Sequence, residues 1–384
     1  MASTEDWSEL LPELMNLILD QLTHISDHLR FASVCSSWKS VTINYRYYRR
    51  HLLHQLPLLM LPGNDNTETR NFFSLSSGKC YGFHIPEIHR KWCCASTQGW
   101  LITVDESTGE IQLFNPVSRD RILLPSLFTF SYPQLSCKPG DPSVSDYIDK
   151  AILSSNPGRT PDYVILAIVT IDKRLAYYKS GADRWITMTT RWTWFEDVIN
   201  YKGLFYAVTN TGKVLTYDFS FEPPIETLII CRRPGRRTWE RYYLVESLGE
   251  LLLVRRHFGW FENDDTRLRI KTVRFEVRKL MAESRQNCFR IMRSIGDRIL
   301  FLGYGCSMSV AAQDFPECKG NSIYFNGDYC YRYRRFLKKP VPYHDTGVFN
   351  FENGSVESFY DSFPIWTTPA FWITPTYPYL LDYI

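Results

Sequence analysis

One phrase recurs along the chain and limits what it can fold into. "GWLITVDESTGEIQLFNP", from Gly99 to Pro116, reads as an apolar strand, a polar turn holding Gly109 and an alternating strand. That is a hairpin. The same phrase returns as "GLFYAVTNTGKVLTYDF" from Gly203. Looser echoes follow as "GELLLVRRHFG" from Gly249, "GDRILFLGYG" from Gly296 and "GVFNFENGSVESF" from Gly347. The last four glycines lie roughly 45–50 residues apart, and Gly99 lies about twice that before Gly203. A unit of this length holds four short strands and cannot bury both faces alone, so units must stack. Between the first two clear hairpins, "YVILAIVTIDKRLAYYKSGADRWITM" supplies the missing unit. A β-sandwich also has many short strands but does not repeat one phrase at this period. The pattern predicts a mainly β chain, an irregular kelch-like β-propeller of about six blades. An aromatic content of 15% suits such half-buried pleated surfaces.

The start of the chain follows a different rule. In "SELLPELMNLILDQL", Ser8 is placed to cap a helix and Pro12 falls in the first turn, where its missing N–H costs nothing. Leu14, Leu17, Ile18 and Leu22 then recur at helical spacing as one apolar stripe. "THISDHLRFASVCSSWKSV" predicts a second helix capped by Ser26 or Asp27, with Leu29, Ala32, Val34 and Cys35 on its apolar face. Trp38 and Val41 carry that face into a third short helix. About forty residues cannot bury both a Leu/Ile stripe and a Val-Cys-Trp cluster by themselves. The remainder needs a partner, either the blades or another chain. "LPGNDNTETRN", Leu61 to Asn71, has the composition of an exposed loop and predicts the boundary.

The bulk properties exclude more than they assign. A formal net charge of +3 on 384 residues exerts no strong pull toward nucleic acid or a membrane. The longest apolar run, "YVILAIVTI" from Tyr163, is far short of a bilayer span. "MASTEDWSEL" lacks the basic lead of a secretory signal, so the ten cysteines are expected to be reduced thiols in the nucleus or cytoplasm. The sequon at Asn353 then carries no meaning. "GYGCSM" from Gly303 has Met308 where a dinucleotide loop needs its third glycine. "SGKC" from Ser77 lacks the rest of a phosphate loop. Cys93 and Cys94 are adjacent, Cys306, Cys318 and Cys330 are far apart, and Pro86 breaks the stretch joining His84 to His89. No metal site or cofactor is expected. Asp105, Asp172, Asp218 and Asp297 sit at turns, where aspartate bonds to the backbone far more often than it does chemistry. No catalytic residues are assigned.

Two clusters are strongly basic: "RRPGRR", Arg232 to Arg237, and "YRYRRFLKK", Tyr331 to Lys339. Arginine and aromatic residues dominate binding hot spots, so Arg232, Arg233, Arg236 and Arg237 are candidate contacts to an acidic or phosphorylated protein. The plain alternative is a set of solvated hairpin tips.

"WSELLPELMNLILDQLTHISDHLRFASVCSSWKS" resembles an F-box, in which Leu-Pro and spaced Leu and Ile precede a Val-Cys-x-x-Trp ending. Leu10, Leu14, Ile18, Leu22, Asp27, Arg30, Val34, Cys35 and Trp38 fit in register. Leu11 stands where the pattern has proline, and Pro12 comes one position late. The remainder, through "GWLITVDESTGEIQLFNPVSRDRILLP" and "FWITP" from Phe371, resembles the plant F-box family with a C-terminal KIB-type propeller. The resemblance implies an F-box over 5–45, a linker over 46–71 and a substrate-binding propeller over 72–384. It implies a non-catalytic receptor subunit of a Skp–cullin–F-box (SCF) ubiquitin ligase. In that reading Leu10, Pro12, Leu14, Ile18, Leu22, Val34, Cys35 and Trp38 contact a Skp-type adaptor, and through it a cullin. The blades hold an unknown protein for ubiquitination. The alternative is a propeller enzyme or glycan-binding protein whose N-terminal helices pack on its own blades.

Overall fold

The computed structural model describes residues 6–22, 25–32, 34–45, 57–63, 66–75, 77–116, 118–130, 147–169, 172–230, 240–262, 268–281, 288–315, 318–327, 345–358 and 370–373. Six sheets follow three helices, α1 (Pro12–Gln21), α2 (Ile25–Ala32) and α3 (Ser36–Asn44).

Blade two shows the regular pattern. β4 (Lys91–Thr97), β5 (Trp100–Asp105), β6 (Ile111–Phe114) and β7 (Arg121–Leu124) pair antiparallel in chain order. Blade three repeats this with β8 (Ile148–Leu153), β9 (Val164–Val169), β10 (Arg174–Lys179) and β11 (Ile186–Thr187). Blade four uses β12 (Phe195–Tyr201), β13 (Leu204–Thr209), β14 (Val214–Asp218) and β15 (Ile225–Ile230). Blade five uses β16 (Glu240–Ser247), β17 (Glu250–Glu262), β18 (Leu268–Met281) and β19 (Cys288–Met292). The first strand of each blade meets the first strand of the next, so β4, β8, β12 and β16 lie innermost.

The repeated glycine now has a cause. Gln98–Gly99, Lys202–Gly203 and Leu248–Gly249 are the two-residue turns between first and second strands, and all six residues have positive φ. That is the turn whose twist matches paired strands, and it selects glycine at its second position. Gly347 is not of this class. It lies inside a strand of blade six, and a Cβ there would stand 2.4 Å from the Glu357 carbonyl oxygen.

Blades one and six depart from the pattern. β1 (Leu58–Met60), β2 (Thr69–Ser74) and β3 (Lys79–His84) form three strands of blade one, and β25 (Phe371–Ile373) adds its innermost strand. Leu59 pairs with Trp372. The ring is thus closed by joining the two ends of the β region. The span expected to be a linker, 46–71, therefore contains β1 and the start of β2, because three consecutive apolar residues are buried there. Blade six has β20 (Arg298–Leu302), β21 (Ser307–Ala311), β22 (Ser322–Phe325), β23 (Gly347–Asn350) and β24 (Val356–Glu357) in the order β21-β20-β22-β23-β24, with β20 and β22 parallel. Trp372, fully buried, donates its indole N–H to the Leu302 carbonyl at 3.2 Å, which fastens the closing strand to blade six.

Two buried charges hold the ring. Lys150 of β8 forms an ion pair with Asp197 of β12, and the same carboxylate accepts the Leu244 N–H of β16 at 2.8 Å. Three inner strands are tied at one point. Arg256 of β17 is wholly buried. It donates to Thr272 Oγ1, Tyr243 Oη, the Asn326 carbonyl and Asp345, where its ion pair is 2.9 Å long. Asn326 in turn donates to the Ala370 carbonyl at 2.7 Å, so blades five and six and the closing strand share one network.

The helices are joined to the blades. Met15, Leu19, Phe31 and Tyr45 belong to the same buried cluster as Leu58, Leu59, Phe72 and Trp372. Helix starts also differ from expectation. α1 begins at Pro12 with Leu11 as its N-cap, and Ser8 lies in a preceding 3₁₀ turn, Trp7–Glu9, capped by Asp6. A carboxylate is the stronger acceptor, and it takes the Ser8 N–H at 2.9 Å. Asp27 lies inside α2, paired with Arg30. α2 stops at Ala32, so Val34 leaves the helix face and Cys35 becomes the N-cap of α3.

Candidate interaction surfaces

α1 carries two apolar stripes on different faces. Met15 and Leu19, one turn apart, are 1% and 0% exposed and pack toward the blades. Leu14, Leu17 and Ile18 face outward, and Leu17 is 60% exposed. Trp7, Leu11 and Val34 are also more than a third exposed. Six large apolar side chains thus stand in water within one small helical module. Scattered exposed apolar residues are ordinary, but a concentration of this kind marks a protein contact.

The expected contact residues separate into two groups. Pro12, Leu14, Ile18 and Val34 are exposed. Leu10, Leu22 and Trp38 are half-buried against the shared cluster. The Trp38 ring stands 4.2 Å from that of Phe31, and its N–H donates to the Trp7 carbonyl at 2.8 Å. Trp38 therefore holds the start of the chain onto α2 while keeping part of its ring open. Cys35 is also half-buried, and its hydrogen bond with Ser37 lowers the thiol below its usual pKa. Trp7, Leu11 and Leu17 were missing from the expected set. The signal was present for Leu17, at helical spacing in the same stripe. For Trp7 and Leu11 it was hidden by the displaced proline.

The helices sit against one particular face of the ring. Lys39 of α3 donates to the Ser118 carbonyl, in the turn between β6 and β7. Antiparallel order puts that turn on the same face as the Gln98–Gly99 turn. A cleft of about 730 Å³ remains between helices and blades, lined in part by Arg30, Lys39, Leu58, Phe83 and Arg119. The opposite face carries the crossovers between blades and the turns between second and third strands. A second cleft of about 550 Å³, lined by Arg70, Arg90, Lys91, Glu68 and Asp105 among others, opens there between blades one and two.

The candidates for chemistry take structural roles. The Asp105 carboxylate accepts the N–H groups of Ser107 and Thr108. Burial raises its pKa, but these bonds together outweigh burial and hold the carboxyl below its usual range. Asp218 likewise accepts the Ser220 N–H. The Asp172 carbonyl accepts the Trp194 N–H, and that of Asp297 accepts the Ala312 N–H. Gly303 is required by packing, since a Cβ there would lie 2.4 Å from Asn326 Oδ1. Cys93 and Cys94 are buried neighbours whose thiols are pushed up by burial, and Cys94 donates to the Ile102 carbonyl. His84 and His89 are not brought together on a ligand: His84 lies 3.7 Å from Glu68, and His89 bonds the Thr67 carbonyl. Among the described residues no group of three or more His, Cys, Asp or Glu could hold a metal ion, and no helix is long and apolar enough to cross a membrane. Arg232, Arg233, Arg236 and Arg237, and the cluster 331–339, lie outside the described residues.

Comparison with known proteins converges on both parts of the chain. The KIB1-4 beta-propeller family matches residues 72–350, and the F-box domain matches residues 7–50. The F-box protein At5g55150 of Arabidopsis thaliana is 28% identical over 381 residues, covering 97% of this chain and 98% of its own. The Arabidopsis thaliana F-box protein SKIP23 is 26% identical over 391 residues, covering 92% of this chain and 91% of its own. The Arabidopsis thaliana F-box/kelch-repeat protein At1g57790 is 26% identical over 271 residues, covering 67% and 69%.

Proposed function

Because this chain belongs to the KIB1-4 β-propeller family and carries an F-box ahead of its blades, we propose that it is the substrate receptor of an SCF ubiquitin ligase. The observation that carries the reading is the double-faced first helix. Met15 and Leu19 anchor the module to blade one, while Trp7, Leu11, Leu14, Leu17, Ile18 and Val34 remain uncovered. Helices that served only to close the blades would need the first stripe and not the second. The outward stripe is the surface for a Skp-type adaptor, which links the chain to a cullin. The propeller holds a target protein for ubiquitin transfer by other subunits, in the nucleus or cytoplasm. The receptor performs no bond chemistry of its own.

The shared core gives this arrangement a mechanical consequence. The helices and the crossovers lie at opposite faces of the ring and the helices share the blades' core, so a target on the crossover face is held at a fixed distance from the ligase. Co-expression with a Skp-type adaptor and a cullin N-terminal domain, followed by size-exclusion chromatography, tests the reading. A co-eluting ternary complex is the expected result. A chain that elutes alone at micromolar concentrations contradicts it.

A further inference from the structure

The crossover face carries a second concentration of aromatic and basic side chains, between blades three and four. The segment "TTRWTWF" (Thr189–Phe195) carries the chain from β11 to β12. Trp192 lies half-buried against the core between these blades. Two cations rest on its ring: the Lys213 ammonium is 4.0 Å from the ring centre and the Arg191 guanidinium carbon is 4.6 Å from it. Neither Lys213 nor Arg191 forms an ion pair with any described residue. Trp194 is 39% exposed and has φ +63. Its N–H donates to the Asp172 carbonyl at 2.9 Å, and its carbonyl accepts the Asn210 N–H at 2.8 Å. The turns of both blades therefore clamp it.

The backbone alone does not ask for tryptophan at this place. Arg90 occupies the same position before the inner strand of blade two, with φ +53. The crossover thus demands a left-handed residue, and a bulky one is the costly way to supply it. Two carboxylates of these blades are engaged elsewhere. Glu226 accepts from Thr190 and Tyr217, and Asp172 faces Arg174 at 3.7 Å. What remains is an exposed indole on a clamped backbone, two residues from a tryptophan ring that carries two positive charges. Rigid aromatic groups with adjacent cations are the typical anchors of protein recognition.

We propose that Trp194, Arg191 and Lys213 form a recognition site for an acidic segment of the target polypeptide, an Asp/Glu-rich stretch carrying one large apolar residue. The apolar residue packs on Trp194, and the carboxylates take the two cations. The site deepens the receptor reading above and rests on it. Charge complementarity selects the partner: an unpaired Arg and Lys favour carboxylate over a neutral or basic chain.

The test uses the full chain in complex with a Skp-type adaptor. Fluorescein-labelled peptides of equal length are titrated by anisotropy: an Asp/Glu-rich peptide with a central Leu-Phe pair, the same peptide with phosphoserine for the acids, with lysine for the acids, and with Ala-Ala for the pair. The acidic apolar peptide should bind saturably, and the lysine and Ala-Ala peptides at least tenfold more weakly. Arg191→Glu with Lys213→Glu, both on exposed or half-buried turns, should lose the peptide at least tenfold. Trp194→Ala should do the same without altering the far-ultraviolet circular dichroism. No saturable binding, binding equal in the variants, or binding of the phosphoserine peptide alone would overturn the proposal. Adaptor titration of the same variants separates the two readings: adaptor binding kept while peptide binding fails removes this site and leaves the receptor role standing.

Discussion

The helical module and the blades treat apolar side chains in opposite ways. Blades two to four bury most of their second and third strands, down to Ile102, Ile165 and Leu215 at 0% exposure. The module, built from three short helices, leaves Trp7, Leu11, Leu14, Leu17, Ile18 and Val34 in water. The difference teaches that composition alone does not mark a contact surface. Both regions are rich in Leu and Ile, and the blades also expose single side chains such as Leu123 and Leu248, but the module gathers six in about thirty residues. Hydrophobic burial contributes roughly 25 cal/mol per Å², so an uncovered stripe is a standing gain for whatever partner covers it.

The largest expected effect tests whether the blades depend on their buried charge. Arg256→Met removes the guanidinium from Asp345 and leaves that carboxylate buried without its cation. The loss should be ~3–5 kcal/mol, read as a fall in melting temperature of about 10 °C. Arg256→Met with Asp345→Asn should recover part of it, because the pair is then removed together. A melting temperature unchanged in the single variant would show that the ring does not rest on this network.

The next effect separates the two stripes of α1. Leu19→Ala on the inner side should cost about 2–5 kcal/mol of the stability of the helices and blade one, as for any wholly buried leucine. Leu17→Ala on the outer side should change stability by less than about 0.5 kcal/mol. Hydrogen exchange on α1 and β1 reads both at once. Equal costs would erase the distinction between an anchoring and a docking face.

Turn geometry gives a smaller effect. Gly203→Ala forces a Cβ onto φ +81, in a place with no atom within 4 Å. Its cost, ~1–2 kcal/mol, is therefore conformational alone. Urea denaturation of the variant checks it, and a neutral result would contradict the assignment of the repeated phrase to this turn.

The smallest effect is in pH. The Asp105 carboxyl is held below its unfolded pKa, so it stabilises the fold above that pKa and ceases to do so as pH falls through the folded value. Asp105→Asn should therefore melt lower than the unaltered chain near neutral pH, with the gap closing below about pH 4. A gap that persists at acid pH would mean the side chain acts by shape and not by charge.

How far the sequence could be read depended on how local each signal was. Gly99, Gly203 and Gly249 marked the blade period because a two-residue turn writes its demand into adjacent residues, but the hairpin was read around Gly109 and the turn at Gly99 itself was not. The closing strand could not be assigned to blade one, since Leu59 and Trp372 pair across nearly the whole chain and each lies in a strand of three residues. The parallel step from β20 to β22 was equally silent. On α1 the outer stripe was legible from its spacing, but Met15 and Leu19 repeat at the same interval one position along. Periodicity shows that a helix has apolar faces, and only packing shows which one is spoken for. Trp194 was invisible as a site because its backbone conformation is a property of the crossover. Arg232, Arg233, Arg236 and Arg237 were conspicuous by charge, and they remain proposed contacts.

The central claim is that the outer stripe of α1 is an adaptor surface while the inner stripe belongs to the blades. Titration of a purified Skp-type adaptor into the full chain, by calorimetry, tests it directly. The unaltered chain should bind in a one-to-one ratio. Leu14→Asp with Leu17→Asp should weaken binding about thirty-fold or more, ~2–4 kcal/mol, with the melting temperature of the blades unchanged. Undiminished affinity in that variant, or no binding by the unaltered chain, would contradict the account.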